Sequence, residues 1–67
     1  MKELKNFRIS LGLTTQGFAD EIQVSKSLYE KIETGARKPS RAFTTKLKFR
    51  YPQFDVNIFF TTQNHKM

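Results

Sequence analysis

Three hydroxyl side chains, Thr14, Ser25 and Ser40, punctuate the middle of this chain and frame the stretch that most limits what it can become, LTTQGFADEIQVSKSLYEKIETGARKPS from Leu13 to Ser40. Thr14 stands just ahead of a run whose apolar members Phe18, Ala19 and Ile22 share one helical face, so its oxygen is placed to accept from the unpaired amides of a helix N-terminus. Ser25 does the same for a second run, in which Tyr29 and Ile32 lie three apart on one face and Gly35 follows, where a left-handed terminal residue costs least. The reading is helix, tight turn, helix and a basic exit loop. Two helices meeting at about 90 to 120 degrees across such a turn need a small side chain where their backbones approach. Ala19 supplies it, and Val24 anchors the turn.

Packing leaves Lys26, Ser27, Glu30 and Lys31 on the outer surface of the second of these helices. All end in hydrogen-bonding groups, and a helix with such a face can enter a DNA major groove, about 12 Å wide, and read base edges. Lys26 and Ser27, in the first turn, suit guanine acceptors or phosphates, and Lys31 lies one turn further along the same side. Glu30 can accept from cytosine or repel wrong sequences. Leu28 is placed for a thymine methyl.

Twelve basic against six acidic residues give a net charge of +6, and its position says more than its size. Up to Glu33 the two signs balance, and from Pro52 onward they balance again. Between Thr34 and Tyr51 stand Arg37, Lys38, Arg41, Lys46, Lys48 and Arg50 with no acid among them. A basic cluster abutting a groove-reading helix is the electrostatic footprint of a DNA backbone. Pro39 disfavours helical geometry at Lys38, so Arg37 and Lys38 are presented on a loop, where phosphate contact is their best use. Gln16, near the amides that open the first of the two helices, is a further phosphate candidate; the bland alternative is a solvated surface glutamine.

Elsewhere, Leu4, Phe7 and Leu11 at i, i+3, i+7 predict an amphipathic first helix closed by Gly12, with Ile9 off the stripe and exposed. Ser40 caps a fourth helix with Phe43 and Leu47 one turn apart and Arg41 in its first turn. After Thr45 two readings stand. KLKFRY and FDVNIF both alternate, as in a β-hairpin over residues 45–60 turning at Pro52 and Gln53. The other is a short fifth helix capped by Asp55, with Phe54 stapled against Phe59. Six of the nine aromatics (Phe43, Phe49, Tyr51, Phe54, Phe59, Phe60) lie in this third of the chain, and any that one small core cannot hide are a candidate dimer surface. Residues 62–67, with the only histidine, His65, lack apolar periodicity and read as a frayed tail.

Arg8, Leu13 with Thr14, Phe18 with Ala19, Val24 with Ser25, Ile32 with Glu33, Gly35, and Lys38, Pro39 and Ser40 fall in the order and spacing of a known family. On these residues the chain resembles the phage-repressor and Cro type of helix-turn-helix protein, the xenobiotic-response-element or lambda-repressor-like family. The resemblance implies an all-α, compact five-helix domain over residues 1–61, with the helix-turn-helix at helices 2 and 3. It further implies a pair between Arg8 and Glu33 that ties the first helix to the third, and a core position for Tyr29. Two departures stand out: Thr15 precedes Gln16 where the family places glutamine directly after the capping threonine, and Gln23 holds a turn position usually given to glycine. A left-handed glutamine there costs roughly 1 kcal/mol.

The expected function is therefore a sequence-specific double-stranded DNA-binding transcriptional regulator, a repressor of phage or mobile-element type that binds its operator as a homodimer. Lys26, Ser27, Glu30 and Lys31 read bases; Thr15, Gln16, Ser25, Arg37, Lys38 and Arg41 contact phosphates. The alternative is a protein-interaction module on the same scaffold, antitoxin-like or anti-repressor-like, working through the aromatic end. An enzyme is not expected: there is no cysteine, no Ser-His-Asp constellation, no metal-ligand cluster and no glycine-rich phosphate loop. No cofactor, metal or small-molecule substrate is expected either. No apolar run approaches the roughly 20 residues of a membrane span, and MKELKNF lacks a signal-peptide core, so the expectation is a cytoplasmic protein.

Overall fold

In the computed structural model, which describes residues 2–59, the chain forms four helices: α1 Lys2–Ser10, α2 Thr15–Glu21, α3 Lys26–Thr34 and α4 Arg41–Arg50. The three hydroxyls set three of their beginnings. Thr14, Ser25 and Ser40 are extended at the N-caps of α2, α3 and α4, and each side-chain oxygen accepts from the amide three residues on, Gly17, Leu28 and Phe43, at 3.0–3.1 Å.

One terminal device closes both α1 and α2. At the end of α1 the amides of Gly12 and Leu13 turn back to the carbonyls of Ile9 and Arg8, with Gly12 left-handed at φ 73°. At the end of α2 the amides of Gln23 and Val24 turn back to Asp20 and Ala19, and here the left-handed residue is Gln23, at φ 62°. The glutamine thus makes the glycine-type turn with its bonds intact and carries the backbone strain. Gln23→Gly is expected to raise stability by about 1 kcal/mol, a Tm increase of about 4–8 °C for a domain of this size. A thermal melt showing no gain would place the strain elsewhere.

The helices meet around Leu4, Phe18, Ala19, Ile22, Tyr29, Ile32, Phe43, Leu47, Tyr51, Phe54, Val56 and Phe59, with Phe7, Leu13, Val24, Leu28 and Ile58 packed at its edge. Much of this core is aromatic. Phe18 meets Tyr29 edge-on at 5.1 Å between ring centres, and Phe7 bridges Phe18, Tyr51 and Phe54. Ile9 is exposed, as its place off the α1 stripe requires. Leu11 departs from that stripe: α1 stops at Ser10, the reversal at Gly12 turns Leu11 outward, and Leu13 packs in its stead.

The C-terminal third is neither a hairpin nor a complete fifth helix. No strand occurs among the described residues, and α4 runs through KLKFR to Arg50. Helical spacing wins because it puts Phe43, Leu47 and Tyr51 into the core together, at the cost of leaving Phe49 88% exposed. Tyr51, preceding Pro52, leaves helical geometry (φ −130°, ψ 74°) and ends α4. The chain then passes through turns to Asn57, whose amide donates to Asp55 Oδ1 at 3.0 Å, and Ile58 and Phe59 take helical geometry at the limit of the described residues. The helices described number four, not five. Phe54 and Phe59 do meet, 5.9 Å between ring centres. Of the six C-terminal aromatics the core takes Phe43, Tyr51, Phe54 and Phe59; Phe60, His65 and residues 62–67 lie outside the described residues.

Candidate nucleic-acid interface

The outer face of α3 is built by subtraction. Tyr29 and Ile32 are buried, and Leu28, partly buried, packs against the core. What remains outward is Lys26, Ser27, Glu30 and Lys31, spread over about 140° of the helix at 3.6 residues per turn. The four expected base-reading residues thus share one surface.

Within that surface the side chains hold one another. Lys26 Nζ lies 3.8 Å from Glu30 Oε2, and the Thr15 hydroxyl of α2 donates to the same oxygen at 3.1 Å. Thr15, a phosphate candidate from the sequence, has its hydroxyl proton on Glu30 and instead joins α2 to α3. Gln16 Nε2 donates to Asp20 Oδ1 at 2.9 Å, which leaves the second hydrogen of that amide for another acceptor. Ser25 uses its oxygen as an acceptor for the Leu28 amide, so its proton remains available to a phosphate.

The basic stretch divides in two. Arg37, Lys38 and Arg41 are exposed and make no ion pair or side-chain hydrogen bond with another described residue. They follow α3 directly, through Gly35 at φ 88° and a bond from the Arg37 amide to the Lys31 carbonyl. Lys46 and Arg50 are used within the fold: Lys46 Nζ donates to the Gln23 carbonyl at 3.1 Å, and Arg50 Nε to Glu21 Oε1 at 2.7 Å. Six uncompensated charges read from the sequence are therefore fewer in space, and the uncompensated ones at the start of the stretch adjoin α3.

Arg8 fixes α3 to α1. Its guanidinium donates to Glu33 through Nε at 2.8 Å and Nη2 at 3.4 Å, and to the Leu13 carbonyl through Nη1 at 2.9 Å. The Tyr29 hydroxyl adds a bond to Glu33 Oε2 at 2.6 Å. Burial alone would raise the Glu33 carboxyl; the bonds from Arg8 and Tyr29 overcome it and hold that carboxyl below the usual value. Burial and then the bond to Glu33 push the Tyr29 phenol up, so it stays a neutral donor. The Tyr29 hydroxyl was not anticipated as part of this pair, although its i, i+4 spacing to Glu33 was a usable signal.

No group of three or more His, Cys, Asp or Glu able to hold a metal gathers among the described residues, and none of their helices is long and apolar enough to cross a membrane.

Comparison with known proteins agrees with this geometry. Residues 2–47 match the family described as the helix-turn-helix domain, and the chain belongs to that family. An uncharacterised HTH-type transcriptional regulator of Bacillus subtilis (strain 168), YqaF, is 37% identical over 59 residues, covering 88% of this chain and 76% of that protein. No solved structure matches the chain.

Proposed function

We propose that this protein is a sequence-specific DNA-binding transcriptional regulator that lays α3 in the major groove, and that it acts as a repressor of phage or mobile-element type. The observation that carries the reading is the adjacency of two surfaces: the polar face of Lys26, Ser27, Glu30 and Lys31, and the unpaired cations Arg37, Lys38 and Arg41 on the loop and helix start that follow it. The helix-turn-helix family and the name of the Bacillus subtilis relative point the same way. Phosphate contacts from Arg37, Lys38, Arg41, Ser25 and Gln16 supply affinity and register, and the α3 face supplies choice of sequence. A homodimer would place two copies of α3 about 34 Å apart, one helical turn of DNA, on an inverted repeat.

The charge division makes a quantitative expectation. Arg37→Ala and Lys38→Ala should each weaken binding to all duplexes alike and reduce the slope of log K against log salt by roughly one unit. Lys46→Ala, whose cation is used inside the fold, should change that slope little. Equal slopes for all three variants and the parent would remove the loop from the interface.

A further inference from the structure

We infer that Lys26 and Glu30 read a single G·C base pair as one unit, Lys26 on the guanine and Glu30 on the cytosine, with Thr15 as the residue that positions Glu30. The inference rests on the groove reading above and names what that face selects.

Both charged side chains are about half exposed, 51% for Lys26 and 45% for Glu30, so the pair is presented to a ligand rather than buried in the fold. Its internal bonds are unevenly distributed. Lys26 and Thr15 both converge on Oε2 of Glu30, and Oε1 has no partner among the described residues. At 3.8 Å the contact is an ion pair rather than a hydrogen bond, so the hydrogens of the ammonium stay available. The unit therefore offers outward the donors of the Lys26 ammonium and, beside them, an acceptor in Oε1 of Glu30, the ammonium and the other carboxylate oxygen lying 3.8 Å apart.

Of the four base pairs, only one matches that pattern in full. Guanine presents two neighbouring acceptors, N7 and O6, and the paired cytosine presents the N4 donor next to O6. A thymine-adenine pair also sets an acceptor beside a donor, but it gives the ammonium one acceptor instead of two and turns the adenine N7 lone pair toward the carboxylate. The remaining orientations put the carboxylate against an acceptor or the ammonium against a donor. Thr15 matters because a glutamate side chain has several rotatable bonds. Its hydroxyl, fixed at the start of α2, holds Glu30 at the correct place along the groove.

The test is selection from a random duplex library with the parent protein, Lys26→Ala, Glu30→Gln and Thr15→Val, each first checked for an unchanged thermal melt. The parent motif should contain an invariant G·C pair in each half-site. Lys26→Ala and Glu30→Gln should relax the same single position, discrimination there falling roughly tenfold or more. Glu30→Gln should admit adenine opposite the guanine position, since a glutamine amide pairs with adenine N6 and N7. Thr15→Val should weaken discrimination at that position alone, and Thr15→Ser should restore it. If the parent enriches a motif but the two variants alter different positions or none, the paired reading is overturned while the regulator stands. If the parent enriches nothing, both fall.

Discussion

Arg8→Ala is expected to lower the stability of this protein by about 2–4 kcal/mol, although Arg8 lies on the first helix, remote in sequence from the outer face of α3. The side chains of Arg8 and Glu33 are only 13% and 10% exposed, and the guanidinium reaches both oxygens of that carboxylate. Its removal takes the guanidinium from a nearly buried carboxylate, which keeps the Tyr29 hydroxyl bond at 2.6 Å, and also deprives the Leu13 carbonyl of a bond. For a domain this small the loss corresponds to a Tm lower by more than about 10 °C. Lysine at this position keeps the charge but not the fork, so Arg8→Lys should recover only part of it. The same pair sets the acid limit. A carboxyl held below its unfolded value contributes stability that is fully present above that value, about 4.3, and is lost as pH falls through the folded value. Acid melts of the parent should thus fall steeply below about pH 4.3, and those of Arg8→Ala less so. A circular-dichroism melt of Arg8→Ala within a few degrees of the parent would show that the pair holds nothing.

The second large effect concerns binding without stability. Lys26→Ala with Ser27→Ala should abolish preference for the operator over other duplexes, a loss of roughly a hundredfold or more in specific affinity. Non-specific, salt-sensitive binding should persist, because Arg37, Lys38 and Arg41 remain. The melt should hardly move, since both side chains are exposed and neither supports the core. Specific binding that survives the double substitution would take the first turn of α3 out of the groove.

Local chemistry was legible in the sequence where a residue acts on its near neighbours. The hydroxyl caps at Thr14, Ser25 and Ser40 act across three residues, and each is where the pattern places it. Gln23 takes the left-handed conformation that its turn demands. Arg8 and Glu33, 25 residues apart, came from family resemblance and not from spacing. What stayed hidden depends on partners distant in the chain. Arg50 finds Glu21 across 29 residues and Lys46 finds the Gln23 carbonyl across 23, so the sequence alone counted them with the DNA-facing charge. Thr15 is drawn to Glu30 only because the turn folds α2 against α3. Alternation in KLKFRY suggested a strand because local pattern cannot register that a core already holding Phe18 and Tyr29 favours Phe43, Leu47 and Tyr51 one turn apart.

The most direct measurement is a titration of the labelled protein with a duplex recovered by selection, followed through its backbone amide chemical shifts. The shifts should gather at Thr15 and Gln16, from Ser25 to Lys31, and from Arg37 to Arg41, leaving the exposed Phe49 and its neighbours on α4 unmoved. Shifts confined to the Phe49 face, or none at saturating duplex, would contradict this.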